Sequence, residues 1–187
     1  SKLSADCMIT SNEHKRASDR CHEAILKLEK SKDFFDITTM VQGDEPLVGS
    51  KVIDEITQSL RIDKSIQCAN GFGQIKNEEL TNQNCIKVIK DINDNAIYMS
   101  RKSIPFQPSV NINVGKQICI IPFKTKFLKL YSNWEETPLE ESESIDMLRV
   151  LENGYKIRMV SVKGFFHPVD VPSDIKVVED LIKNSAN

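Results

Sequence analysis

Met40-Val41-Gln42-Gly43-Asp44-Glu45-Pro46-Leu47 places an acid where an apolar, β-branched run gives way to a turn and then to a helical pattern. In open α/β sheets, ligands gather at that edge, outside the carboxyl ends of the strands. Gly43 permits a tight turn, and Asp44 then projects from the strand end. A hard carboxylate there can hold Mg²⁺ against substrate phosphates, because magnesium takes one or two protein carboxylates and fills its shell with phosphate and water oxygens. The plainer alternative is a polar turn whose two acids favour the N-terminus of the following helix.

A second acid comes late, in Val169-Asp170-Val171-Pro172-Ser173-Asp174. Ser173 reads as the N-cap of a closing helix and Asp174 as an acid in its first turn, which leaves Asp170 free for other work. Two carboxylates at strand ends of one sheet could share a metal ion; the alternative for Asp170 is a loop acid. His167, beside Pro168, could support Asp170 from behind, whereas His22 falls within a helix and reads as structural. Trp134 reads as core or interface, and the acids from Glu135 to Glu143 as a solvated face.

These residues need elements to position them. Asp6 to Thr10 reads as a short strand, and Ser18 or Asp19 can cap a helix over Arg20 to Lys30. Asp36 to Val41 predicts a buried strand, and Gly49 to Leu60 a helix with Val52, Ile53, Ile56 and Leu60 at helical spacing. This rhythm is that of a right-handed parallel α/β sheet. Period-two segments follow at Cys85–Lys90 and Ala96–Ser100, joined by a turn-rich stretch that suits a hairpin. Ile104 to Pro108 reads as loop, Gln117 to Pro122 and Ile157 to Val162 as strands. Lys124 to Tyr131, Pro138 to Asn153 and Ser173 to Lys183 read as helices.

Composition narrows the function classes. With 187 residues, 40% of them hydrophobic, the chain can fill one core. Its 25 basic and 27 acidic residues, net charge -2, give no footprint for nucleic acid and no basic face for a membrane. No apolar run reaches the length of a span, and Ser1 to Asp6 do not resemble a secretory signal. Five widely spaced cysteines without a Cys-x-x-Cys pair read as reduced core residues of a cytoplasmic protein.

Val41-Gln42-Gly43-Asp44-Glu45-Pro46-Leu47 resembles the central motif of the CMP-Kdo synthetases, the 3-deoxy-manno-octulosonate (Kdo) cytidylyltransferases. Thr10 to Arg20 resembles their Thr-Ser-x-x-His-x-Ser-Gly-Thr-Asp-Arg segment. Asn84–Ile89 and Ala96–Phe106 resemble their middle strands and the loop that follows. The match continues through Phe127-Leu128, Trp134, Pro138-Leu139-Glu140 and Leu148–Leu151 to Asp170-Val171-Pro172-Ser173-Asp174-Ile175. It spans nearly the whole chain in order.

The resemblance implies a mostly parallel, doubly wound sheet of the nucleotide-diphospho-sugar transferase kind, with residues 84–122 as a β-rich region at a homodimer interface. It implies a cytidylyltransferase in which the anomeric hydroxyl of a sugar acid attacks the α-phosphorus of CTP and pyrophosphate leaves. Asp44 and Asp170 would hold Mg²⁺. His14, Ser18, Asp19 and Arg20 would lie beside the cytidine, and Gln42, Gln117 and Glu140 beside the sugar.

Three departures qualify that expectation. The sequence starts after the family's opening strand and Ala-Arg-x-x-Ser-x-Arg-Leu-Pro-x-Lys phosphate loop, which either stand upstream in the natural protein or are missing; if missing, the phosphates would lose their main cationic partners. Arg16-Ala17 replaces a Ser-Gly pair. Gln117-Ile118-Cys119-Ile120-Ile121 stands for His-Ile-Gly-Ile-Tyr, and Met147 for a glutamine, which points to an acceptor related to Kdo but different from it. The alternatives are a non-catalytic relative that uses the fold for assembly, and a nucleotidyltransferase with another small acceptor such as a phosphonate.

Overall fold

In a computed structural model, residues 6–31, 33–106, 114–164 and 166–185 are described. The expected opening Ser1 to Ala5 and the loop residues Gln107 and Pro108 lie outside them. The elements run α1 (Ala17–Lys30), β1 (Ile37–Val41), α2 (Ser50–Ile62), β2 (Cys68–Gly73), a 3₁₀ turn (Asn77–Leu80), β3 (Lys87–Lys90), β4 (Ala96–Ser100), β5 (Val114–Ile118), β6 (Ile120–Lys124), α3 (Thr125–Tyr131), α4 (Pro138–Glu143), α5 (Leu148–Glu152), β7 (Ile157–Ser161) and α6 (Pro172–Ser185).

One sheet is covered on both faces, so its strands carry apolar residues on both sides. Met40, Cys68, Ile121, Phe123, Ile157 and Met159 pack with Phe127, Leu128, Tyr131 and Leu148 in one cluster. Ala69, Ile118 and Ile120 pack against Ile56 and Leu60 of α2 in another. The chain is therefore α/β, as expected. Its strand pairing is more mixed than a mostly parallel sheet. The order is β1-β6-β2-β5-β3-β4, with β7 on the other side of β2. Only β2 and β7 pair in parallel; the other pairs are antiparallel. β1 and β2 do point the same way with α2 as crossover, but β6 runs between them in the opposite direction and separates the expected neighbours.

β5 and β6 form one path interrupted at Cys119. β5 lies between β2 and β3, whereas β6 lies between β1 and β2. The interruption occurs beside the turn that carries Asp44, and it matters below.

Three local expectations are corrected. Asp6 to Thr10 forms no strand; Ile9 is exposed, and no sheet partner reaches this segment. α1 starts at Ala17 with Arg16 as an N-cap that makes no side-chain capping bond, so Ser18 and Asp19 lie within the helix. The single helix expected over Pro138 to Asn153 is broken at Ser144, which adopts φ 53° and ψ 47°. The carbonyls of Glu143 and Ser144 are engaged by the Arg101 guanidinium at 2.8 and 3.1 Å, so they are drawn into a tertiary contact at the break. Among the cysteines, only Cys68 is buried; Cys7 is exposed, and all five are free thiols. No helix among the described residues is long and apolar enough to cross a membrane.

The close approach of β2 and β5 depends on glycine. A Cβ on Gly115 would meet the Phe72 ring and, at 2.5 Å, the Gly73 carbonyl oxygen. Gly115→Ala is expected to cost about 1–3 kcal/mol, and a denaturant titration measures it; an unchanged midpoint would contradict this packing.

Candidate active site

The turn after β1 is tied down on three sides. The Gln42 N–H donates to the Cys119 carbonyl at 3.3 Å, and the Cys119 N–H donates to Glu45 Oε1 at 3.3 Å. Both backbone groups of the interrupted strand thus bind the turn. From the far end of the chain, the Val169 N–H donates to the Asp44 carbonyl at 2.9 Å, which delivers Asp170 next to Asp44. Asp44 and Asp170 line one cleft of about 550 Å³, together with Gln42, Glu45, Arg101, Lys116, Gln117 and Cys119.

Asp170 keeps its carboxylate out of the helix cap. Its own N–H and that of Val171 both donate to Asp174 Oδ2, at 3.0 and 2.9 Å, so Asp174 performs the capping expected of Ser173. His167 Nε2 lies 3.3 Å from Asp174 Oδ1 and so supports the acid that supports Asp170. Burial raises the Asp170 carboxyl above its usual range, and the charges of Asp44 and Asp174 add to the effect. Burial likewise raises Glu45. Asp44 Oδ1 is buried without a hydrogen-bond partner among the described residues. No group of three or more His, Cys, Asp or Glu side chains suited to a metal occurs among the described residues. A pair of acids with an orphaned oxygen is the donor set that magnesium requires when phosphates complete its shell, so the residues fit that ion.

Gln117 points into the same cleft and is held there by its Nε2, which donates to Asn70 Oδ1 at 2.7 Å; Asn70 in turn donates to the Ile118 carbonyl at 2.7 Å. Lys116 pairs with Glu79 and donates to the Phe166 carbonyl at 3.1 Å. Cys85 and Cys119 also line the cleft; burial raises both thiols, Cys85 to about 11. Sequence reading missed Asn70, Glu79 and Lys116. The lysine beside Gly115 in a period-two strand was the available signal.

The remaining expected contacts fall elsewhere. His14 and Asp19 line a second cleft, with Glu13, His22, Trp134 and Arg149, and none of its lining residues borders the first. His14 Nε2 is 2.5 Å from Glu23 Oε2. Arg20 donates to Thr10 Oγ1 and to the Ser11 and His14 carbonyls, which anchors the segment before α1. Ser18 is buried, and its hydroxyl donates to Asp146 Oδ2 at 3.1 Å. Glu140 is not at the first cleft. It is buried, and both of its oxygens accept from Arg149 at 2.6 Å. Glu140 has no exposed surface, so burial rather than pairing closes it to a sugar. Of the three positions expected to have lost a polar handle, Ile121 and Met147 are core residues, so only Gln117 bears on the cleft, beside Cys119, which stands where the family has glycine.

Two acids thus meet beside the carboxyl end of β1 in a two-faced α/β sheet, the edge where sheets of this kind gather ligands. A sequence profile described as cytidylyltransferase matches residues 1–157, and the chain belongs to that family. It is 35% identical over 183 residues to the mitochondrial 3-deoxy-manno-octulosonate cytidylyltransferase of Arabidopsis thaliana, covering 96% of this chain and 62% of that protein. It is 36% identical to the Fusobacterium nucleatum enzyme of the same name, covering 95% of this chain and 72% of that one. A solved CMP:2-keto-3-deoxy-manno-octonic acid synthetase, complexed with CTP, superposes with a TM-score of 0.87 at 26% identity, covering 97% of this chain and 74% of that one. The chain thus spans about three fifths of the length of its plant relatives.

The half-buried Asp146 gives a pH test. Burial raises its carboxyl, offset in part by the Ser18 hydrogen bond and the Arg16 charge. Its stabilising contribution is therefore full below the unfolded aspartate pKa and fades as pH rises through the raised folded value. Asp146→Asn, which mimics the neutral acid, is expected to gain stability relative to the parent as pH rises from acid to neutral. Chemical denaturation across that range reads the difference, and a pH-independent one would contradict it.

Proposed function

We propose that the full-length protein transfers CMP from CTP to the anomeric hydroxyl of Kdo or a closely related sugar acid. The hydroxyl oxygen bonds to the α-phosphorus, the bond from that phosphorus to the β-phosphate bridging oxygen breaks, and pyrophosphate leaves. The observation that carries this reading is the meeting of Asp44 and Asp170, which lie far apart in sequence but share one cleft through the Val169–Asp44 hydrogen bond. Asp44 and Asp170 would hold Mg²⁺, which when bound neutralises phosphate charge and polarises the attacking hydroxyl. Gln42 and Gln117 present amides that can orient the acceptor's hydroxyls, and Lys116 and Arg101 bring positive charge to the cleft that receives its carboxylate. The cytidine would bind on the side of His14 and Asp19.

Assembly as a homodimer through residues 84–122 belongs to the same proposal. Its support is the exposure of Ile92, Ile97 and Phe106 in that region. A cytoplasmic location fits the same reading. An acceptor other than Kdo is a second reading, favoured by Cys119 and Gln117 standing at the cleft where the family carries glycine and histidine.

The reading is tested by pyrophosphate release from full-length protein with CTP, Mg²⁺ and a panel of sugar acids, and turnover is expected. Asp44→Asn and Asp170→Asn should each lower kcat by about a hundredfold or more, with little change in melting temperature. A near-normal rate in either variant would refute the metal assignment.

A further inference from the structure

Lys87 belongs to β3 and has no exposed surface. An ammonium carries three donors and no acceptor. In Lys87 each finds a backbone carbonyl: Asn82 at 2.7 Å, Cys85 at 2.7 Å and Arg101 at 2.5 Å. No carboxylate contacts it directly, and burial lowers its pKa. Removing a charge from water costs several kcal/mol, so the cage of oxygens must compensate within the fold. The segment so gripped needs the help. Residues 81–86 contain no helix or strand, yet Asn82, Asn84, Cys85 and Ile86 line the cleft with Asp44 and Asp170. Lys87 itself does not line it.

Arg101 extends the arrangement. Its carbonyl is held by Lys87, while its guanidinium donates to the carbonyls of Gln83, Glu143 and Ser144. Two cationic side chains therefore bind carbonyls of this wall, Lys87 from outside the cleft and Arg101 from its border, beside the backbone bond from the Gln117 N–H to the Ile86 carbonyl at 2.9 Å.

We propose that Lys87 is a positioning residue for the acceptor: an internal cation that fixes the wall of residues 82–86 against the carboxylate side of the cleft. None of the three carbonyls belongs to the segment from His14 to Arg20, so Lys87 holds the acceptor wall directly and reaches the nucleotide side only at second hand, through Arg101 and Ser144. The proposal rests on the function proposed above for this cleft.

The test combines steady-state kinetics of the full-length protein, with CTP, Mg²⁺ and Kdo, and amide hydrogen exchange over residues 82–86. Lys87→Met keeps the aliphatic stem and removes the donors. It is expected to raise KM for the sugar acid about tenfold or more, to leave KM for CTP within about twofold, and to accelerate exchange in the wall. Lys87→Ala leaves room for a small amine. Propylammonium is expected to restore its sugar-acid KM, whereas tetramethylammonium, which has no N–H to donate, is not. An unchanged sugar-acid KM in Lys87→Met, or equal losses for both substrates without amine rescue, overturns the proposal. Should Lys87→Met not fold, Lys87→Arg carries the same comparison of KM values, since it keeps the charge but cannot place three donors on one point. If the parent protein shows no turnover, the functional reading fails, and exchange then decides alone: unaccelerated exchange in residues 82–86 overturns the positioning role.

Discussion

At Cys119 the long strand formed by β5 and β6 leaves its ladder, and the two backbone groups freed there bind the turn that carries Asp44. A buried N–H without a partner costs roughly 1–3 kcal/mol, and here the partner is the Glu45 carboxylate. The consequence spreads outward. Glu45 is drawn into the interior, where burial raises its pKa. Gln42, bonded to the Cys119 carbonyl, is fixed at the cleft floor. Asp44, between them, is left with its carbonyl facing the returning chain and one carboxylate oxygen buried and unpartnered. The strand interruption is thus the device that converts a sheet edge into a site.

The charges around that site are deliberately unequal. Asp44, Glu45, Asp170 and Asp174 crowd one side; burial raises the Glu45 and Asp170 carboxyls, and the charges of the neighbouring acids add to it. Lys116 and Arg101 lie on the same cleft but are engaged by Glu79 and by backbone carbonyls. They cannot swing across to neutralise the acids without giving up those bonds. A cation that bridged Asp44 and Asp170 would relieve the repulsion, and a ligand that binds only the folded state stabilises it by mass action. The acids are in this sense held in readiness for a positive charge from outside the chain.

Much of this was legible in the sequence. The apolar run into Gly43 and Asp44 announced β1 and its functional end, the period-two segments announced β3 and β4, and α2 was marked by its apolar spacing. The centre of the sheet was not. β2 reads Cys-Ala-Asn-Gly-Phe-Gly, without a β-branched residue and with an Asn-Gly pair that signals a turn. It is a strand because burial on both faces overrides propensity, and Gly71 is there because a Cβ would meet Ile118 at 2.9 Å. Direction was equally hidden, since nothing in the local pattern says that β6 returns between β1 and β2. In the site, strand-end position pointed to Asp44; Asp170, expected at a strand end too, lies in coil well past β7 and reaches the cleft through the Val169–Asp44 hydrogen bond. Glu140 misled because an acid in a run of acids looks solvated or substrate-facing, while its partner Arg149 lies in the next helix. Lys87 gave no signal at all: a lysine in an alternating strand reads as surface.

The break between α4 and α5 has a reason beyond local chemistry. Ser144 sits between the two clefts with left-handed backbone. Its carbonyl accepts from Arg101, which borders the cleft of the two acids. Its hydroxyl accepts from Arg16 at 3.2 Å, at the start of the helix whose first turns carry Ser18 and Asp19. On the same side, Ser18 donates to Asp146, and Arg149 borders the second cleft while clasping Glu140 in the core. A continuous helix over this stretch would have kept the Glu143 and Ser144 carbonyls within its own ladder, leaving Arg101 without two of its partners and Arg16 without one. The left-handed Ser144 therefore ties the start of α1, in the segment that resembles a nucleotide-binding one, to Arg101 on the border of the cleft that holds Asp44 and Asp170.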